Sequence, residues 1–104
     1  MKAAPRHVIV GPHRYRITEI PDGILEGAGS DGTCSPRHLT IALDGNQPRS
    51  QKADTLCHEL THALLASVKL EDDVEEAIAL ALGPGLLALI RDNPKLIDWM
   101  RGTA

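Results

Sequence analysis

The strongest constraint on this chain is a pair of histidines, His58 and His62, which stand four residues apart with Glu59 directly after the first. On an α-helix this spacing puts both imidazoles on one face, where they can bind one Zn²⁺ at roughly 2.0–2.1 Å each. Glu59 projects beside the metal, where its carboxylate can take a proton from an activated water as a general base. Two imidazoles do not complete a zinc site, so the rest of the chain must supply a third ligand.

Length and composition predict one small domain that spans residues 1–104, with residues 1–5 as a flexible tail. The net charge of −3 is mild and no basic run occurs, so neither nucleic acid nor an anionic membrane is expected as a partner. No secretory signal and no bilayer-spanning apolar stretch is visible, which predicts a cytoplasmic protein. The two cysteines form no C-x-x-C pair and do not indicate a disulfide framework.

Alternating apolar residues predict about three strands in a small antiparallel sheet. Residues 7–20 are rich in β-formers around a Gly11-Pro12 break, and Tyr15 and Ile17 share one face beyond it. Residues 24–35 are glycine-rich and predict a short strand or two. The clearest strand is 38–43, which has Leu39, Ile41 and Leu43 on one face.

Helical spacing takes over after Pro48 and predicts a helix to about Val68, with an apolar stripe of Ala53, Leu56, Leu60, Ala63, Leu64 and Ser67. A second helix should start at Asp72 or Asp73, and Asp73 and Glu76 have the spacing of a capping box. Gly83-Pro84-Gly85 should kink or interrupt it. A short amphipathic helix should run from Lys95 to Met100. The fold class predicted is therefore α+β, a small sheet beside the zinc helix.

The acidic residues after the zinc helix are the candidates for the third metal ligand. They are Glu71, Asp72, Asp73, Glu75 and Glu76. For most of them the simpler role is a favourable interaction with the partial positive charge at the N-terminus of the second helix. We favour Glu76, because it shares a helical face with Ala79, Leu80 and Gly83, which would let the helix pack close. Glu75 is the alternative. Three other histidines are weaker rivals: His7, His13 and His38.

Three stretches resemble bacteriophage and prophage zincin-like metallopeptidases similar to the ImmA/IrrE group. They are the run from Cys57 to Leu64, the segment Glu75-Glu76-Ala77 and the later residues 86–94. The resemblance covers about residues 14 to 100. It implies that His58 and His62 bind the metal and that Glu59 is the catalytic glutamate. The family places an acidic ligand three residues before an alanine, as Glu76 stands before Ala79, although the asparagine that commonly follows is Leu80 here.

The resemblance implies a zinc-dependent peptidase whose substrate is a protein or peptide, with a repressor or another regulator as one option. An extended substrate could pair with the edge of the strand at 38–43. Tyr15 is expected to pack in the sheet rather than to stabilise an oxyanion. Two alternatives stay open: a module that zinc merely stabilises, and a phage interaction protein without peptidase activity. The oligomeric state is left open.

Overall fold

The structure is a computed structural model that describes residues 3–21 and 31–103. Four strands and three helices follow one another along the described chain. They are β1 (His7–Val10), β2 (His13–Ile20), β3 (Gly32–Ser35), β4 (Thr40–Asp44), α1 (Arg49–Leu65), α2 (Asp72–Asp92) and α3 (Pro94–Arg101). The predicted α+β class is confirmed.

The strands form one mixed sheet in the order β1-β2-β4-β3. The outer pairings are antiparallel, but β2 and β4 run parallel, with Ile17 beside Ile41. The sheet thus has four strands rather than about three, and it is not wholly antiparallel. Alternation along a strand determines which face each residue occupies, but it carries no information about the direction of the neighbouring strand. The part of the predicted 24–35 strand region that falls on residues 24–30 lies outside the described residues.

The core lies between one face of the sheet and α1. Tyr15, Ile17, Ile41 and Leu43 are buried there against Ala63, which confirms the predicted facing of β2 and of the end of β4.

The start of β4 differs from the prediction. Leu39 has a φ of 54° in a turn that closes with its N–H donating to the Pro36 carbonyl at 3.3 Å, so the strand begins at Thr40 rather than His38. The N-terminal segment also departs from a free tail, because the Ala4 N–H donates to Glu19 Oε2 at 3.0 Å.

Helix α1 packs on the sheet through residues spaced four apart, Thr55, Glu59 and Ala63, all of which are buried. It ends three residues before the predicted Val68. The predicted stripe is wrong at its end, since Leu64 is 57% exposed and Ser67 is exposed as well. The buried face is therefore rotated toward the polar residues that border the candidate site.

Helix α2 continues through Pro84, so of the predicted kink or interruption the interruption is wrong. Pro84 has no N–H to donate to the Leu80 carbonyl, and Leu80 itself lies on the exposed side of the helix. Glu71 is the N-cap and no side chain caps the helix, so the predicted Asp73–Glu76 capping box does not form.

Helix α3 begins with Pro94 and buries no residue; Trp99 is 72% exposed. Of the helices within 3–21 and 31–103, none is both long and apolar enough to cross a membrane.

Candidate metal centre

Three side chains from two helices meet at one point. His58 and His62 project from α1, and Glu76 projects from α2. Glu76 Oε1 lies 2.8 Å from His58 Nε2 and 2.9 Å from His62 Nε2, and one ligand atom from each residue falls within 4.8 Å of the others. Two imidazole nitrogens and one carboxylate oxygen are a donor set that suits Zn²⁺ and leaves a fourth position open.

Small residues let α2 approach α1 closely enough for this meeting. Ala79 is completely buried, and Gly83 is buried against the start of the zinc motif. A Cβ on Gly83 would lie 3.0 Å from the His58 Cα atom and 3.1 Å from its backbone nitrogen. Glu76, Ala79 and Gly83 therefore share the face that packs on α1, as their spacing predicts. Leu80, which was expected to share that face, is 62% exposed.

Glu75 and Glu76 contact different nitrogens of the same imidazole. Glu75 Oε2 lies 2.6 Å from His62 Nδ1, on the side of the ring away from the meeting point. Glu76 occupies the Nε2 side, where His58 also points. A carboxylate on the second nitrogen of a ligand histidine holds the ring in one tautomer and orientation. The geometry thus gives the two neighbouring glutamates different positions relative to the site.

These carboxylates change the proton affinity of His62. Burial by itself would lower the pKa of His62, but its hydrogen bonds to Glu75 and Glu76 outweigh burial and raise that pKa. Zn²⁺ would compete with a proton for the Nε2 atom, since a ligand histidine must be deprotonated there.

Glu59 is only 7% exposed, and burial raises the pKa of its carboxyl above the ordinary value although the two histidines act in the opposite direction. A carboxyl whose pKa is raised toward neutrality is a better proton acceptor than an exposed one. The residue predicted to act as the base thus occupies an environment that suits that role.

A cavity of about 550 Å³ exposes this group of residues to solvent. Its floor is α1, one wall is Gly32 at the start of β3, and the opposite wall is α2 with Leu80 and Pro84. A second cavity, about 420 Å³, lies where Leu56 and Leu87 meet the N-terminal segment. Neither His58 nor His62 lines this second cavity. The titratable groups with metal-binding geometry therefore belong to the first cavity.

The rival ligands considered from the sequence stand apart from this cluster. His7 and His13 lie in strands β1 and β2, and His38 lies in the turn before β4 with its Nδ1 atom 2.9 Å from Ser35 Oγ. Glu71, Asp72 and Asp73 cap or begin α2 without reaching the histidines' meeting point, as far as the described residues show.

Tyr15 lies in the core, as expected for a packing role. Cys57 is half-buried, and burial raises the pKa of its thiol.

Sequence reasoning missed the role of Gly32. A Cβ there would lie 2.6 Å from Thr55 Cγ2 and 3.3 Å from Glu59 Cγ, so any larger residue would force Thr55 to shift beside the predicted base. A single glycine in a glycine-rich stretch gives no sign of this close approach. Cys34, two residues later, has its pKa raised to about 12, first by burial and then by the charges of Glu59 and Glu75.

The sheet edge that a substrate strand could join also differs from the predicted one, which was the edge of the strand at 38–43. Strand β4 lies between β2 and β3, so both of its edges are already paired. Strand β3 is at the edge of the sheet, and its first residue, Gly32, lines the cavity.

No protein-family model matches this chain, and no curated protein or solved structure does so either. The resemblance to ImmA/IrrE-type enzymes therefore rests on the motif residues themselves. In the structure these motif residues lie together: they are His58, His62 and Glu76, and Ala79 is buried behind Glu76.

Proposed function

We propose that this protein is a zinc-dependent metallopeptidase in which His58, His62 and Glu76 hold the metal and Glu59 is the general base. The observation that carries the proposal is the meeting of three ligand atoms beside a buried carboxylate in one open cavity. When bound, Zn²⁺ would polarise both a water molecule and the scissile carbonyl.

The chain's own residues would handle the proton. Glu59 would take a proton from the attacking water and deliver it to the amine that leaves, which is the usual task of a carboxylate beside such a site. Glu75 would hold the His62 ring through Nδ1, so that Nε2 stays aimed at the metal. Because Glu76 reaches both histidines, we favour it over Glu75 as the third ligand.

The substrate proposed is an extended peptide segment of a protein, with a repressor or another regulator suggested by the family resemblance. Among the described strands, β3 is paired on one side only and starts beside the cavity, so a peptide that adds to its other edge would be placed by backbone hydrogen bonds. We place the protein in the cytoplasm, where its two free cysteines would stay reduced.

The proposal is tested by peptide hydrolysis. Zinc-loaded protein should cut peptides from a random library, chelation should stop cleavage, and added Zn²⁺ should restore it. Glu59→Gln should keep its zinc and lose turnover by about 10²–10⁴-fold, the range for a general base. Glu71→Gln, an exposed acid at the start of α2, is the matched control and should keep full activity. Cleavage that survives Glu59→Gln, or none by zinc-loaded protein, would contradict the proposal.

A second function, a zinc-stabilised interaction module without peptidase activity, is favoured by one observation. The ligand atoms come from two different helices, so a bound metal would tie α2 to α1. In that case zinc would raise the melting temperature of wild type and Glu59→Gln equally, and neither would cut peptides.

A further inference from the structure

The cavity that holds the metal-binding residues extends along α1 and changes in chemistry along its length. Asp54, His58 and His62 are spaced four residues apart, so they form one ridge on the helix. Asp54 is one turn, about 6 Å, from His58 along the axis. Asp31 lies across the cavity from this ridge, beside Gly32 on the β3 wall. The end of the cavity away from Glu76 is therefore acidic.

The charges that line this cavity are strongly one-sided. Among the described residues, those that line it and titrate are two histidines and four acids, with no lysine or arginine; the acids are Asp31, Asp54, Glu59 and Glu76. With all four acids ionised and the histidines neutral, a bound Zn²⁺ would still leave a formal charge of −2. A cavity of one sign with protein walls concentrates the opposite charge from solution.

The two outer carboxylates, of Asp31 and Asp54, are only weakly engaged by the residues that the structure describes. In the part of the chain that the structure describes, no salt bridge involves Asp31 or Asp54. Asp31 Oδ2 receives only a long hydrogen bond, 3.4 Å, from Gln51 Nε2. Arg91 lines the neighbouring cavity with Asp54, and the charge of Asp54 contributes to raising the pKa of Arg91, but the Arg91 guanidinium is hydrogen-bonded to Asp92 at 3.0 Å. Both carboxylates thus remain available to a cation from outside.

The position of Asp31 is fixed before any ligand arrives. Its backbone carbonyl accepts a hydrogen bond from the Asp44 N–H at 2.8 Å and another from Gln47 Nε2 at 3.0 Å. These bonds hold the β3 end of the wall against the loop that leads into α1. A backbone held in place in advance loses little entropy when a ligand binds beside it.

Glu59 gives an independent indication that a ligand enters this cavity. Its side chain is more than nine-tenths buried and lines the cavity. No hydrogen bond or ion pair joins Glu59 to another residue between 3–21 and 31–103. No described side-chain oxygen is both sealed from solvent and without a hydrogen bond, so the carboxylate oxygens of Glu59 open onto the cavity, where a ligand or water can complete them.

From these observations we infer that the acidic end of the cavity, formed by Asp54 and Asp31, binds a lysine or arginine side chain of the substrate. The inference rests on the proposed function for the meaning of "substrate", but the cation site can be measured without cleavage. One helical turn separates Asp54 from the metal-binding residues, so the cationic side chain would lie within one or two residues of the scissile bond. Leu80 and Pro84 on the opposite wall would contact the apolar stem of that side chain.

The test compares two labelled hexapeptides that are identical except for one central arginine or norleucine. Their affinities for the metal-free full chain are measured by fluorescence anisotropy at low salt, so hydrolysis cannot interfere. The arginine peptide should bind about tenfold more tightly, the scale of two partly exposed ion pairs. Asp54→Asn should reduce that preference by about half an order of magnitude or more, and 1 M salt should remove most of it.

Asp98→Asn is the matched control, because it removes one carboxylate from the exposed helix α3, where the Asp98 hydrogen bonds are made by its backbone carbonyl. It should leave the preference unchanged. Equal affinity for the two peptides, no binding of either, or a preference that Asp54→Asn and Asp31→Asn leave intact would overturn the inference.

The same peptides separate this inference from the proposed function. If zinc-loaded protein prefers the arginine peptide but never cleaves it, the peptidase proposal fails and the cation site stands. If it cleaves both peptides with equal kcat/KM and binds them equally, the peptidase proposal stands and the cation site fails.

Discussion

The two faces of α2 use apolar residues in opposite ways. Toward α1, the helix presents Ala79 and Gly83, both buried, and it brings Glu76 to the histidines. Toward solvent, it presents Leu82 and Leu89, each about half exposed, at 49% and 50%. The face with the smaller side chains is the one that packs, and the larger side chains stay outside.

This difference shows what holds α2 in place. Small side chains bury little apolar area, and burial contributes roughly 25 cal/mol per Å², so the α1–α2 contact gains less from the hydrophobic effect than a leucine-rich contact would. In exchange, the helices come close enough for Glu75 and Glu76 to reach His62. The contact between α1 and α2 is therefore suited to forming a polar site, and a bound metal would add to its stability.

The largest loss of stability is expected when a large side chain is placed on the face of α2 that packs against α1. Gly83→Leu would force a side chain into the His58 backbone, 3.0 Å from the Cβ position, and should cost about 3 kcal/mol of folding free energy. It should weaken zinc binding as well, because α2 must move away with Glu76. Urea unfolding measures the first effect and a competitive zinc titration the second.

Gly85→Leu is the control for that substitution, since nothing lies within 4 Å of a Cβ at Gly85. It should leave stability unchanged or raise it by up to about 1 kcal/mol through helix propensity. If both glycine variants lost the same stability, the close approach at Gly83 would not distinguish the two faces.

The next effect concerns the glutamate that contacts only one histidine. Glu75→Gln keeps the size of the side chain and removes the charge beside His62 Nδ1, so zinc affinity should fall about tenfold, at the lower end of the range for such partners. Glu76→Gln should reduce affinity much further, because it replaces the carboxylate proposed as the third ligand by a neutral amide. An equal loss in both variants would mean that the two glutamates do not have separate roles.

A smaller effect is expected on the solvent face of α2. Leu89→Ala should cost about 1 kcal/mol or less, because half of this side chain is already in water. Leu43→Ala, in the fully buried core of the sheet, should cost about 3 kcal/mol by the same measurement. A Leu89→Ala loss as large as that of Leu43→Ala would show that another surface covers Leu89 in solution.

The smallest effect lies on the other side of α1, where Lys52 Nζ contacts Glu19 Oε1 at 2.6 Å. The hydrogen bond from Lys52, and a second from the Ala4 N–H, hold the pKa of Glu19 below its ordinary value of 4.5. A lowered folded-state pKa stabilises the protein above the unfolded pKa and loses that contribution as the pH falls through the folded value.

Solvent screening keeps this contribution below about 1 kcal/mol. Wild type should therefore exceed Glu19→Gln in unfolding free energy at pH 7, and the difference should shrink as the pH falls below the ordinary pKa of 4.5 and disappear below the lower folded-state pKa. A difference that stayed constant with pH would contradict the assignment.

Much of this arrangement could be predicted from local patterns. The histidine spacing predicts that His58 and His62 share a helical face, and alternation predicts the burial of Tyr15, Ile17, Ile41 and Leu43. The Glu76–Ala79–Gly83 spacing predicts a close helix contact because small residues recur on one face. These features depend on periodicity, which a single segment carries by itself.

The features that escaped prediction depend on pairs of segments. The parallel pairing of β2 with β4 is decided by how distant strands meet, and no local pattern encodes it. Gly32 resembles a turn glycine until α1 is placed against it. Likewise, the position of Glu75 behind His62 follows from the crossing of α1 and α2, which spacing along α2 alone does not determine.

Zinc content tests the central claim most directly. Elemental analysis of the purified wild type, beside His58→Ala, Glu59→Gln, Glu75→Gln and Glu76→Gln at fixed free Zn²⁺, reports which residues hold the metal. We expect about one zinc per chain in wild type and in Glu59→Gln, reduced occupancy in Glu75→Gln, and loss in His58→Ala and Glu76→Gln. A wild-type protein without zinc after incubation with the metal, or one whose zinc survives both His58→Ala and Glu76→Gln, would contradict the metal centre proposed here.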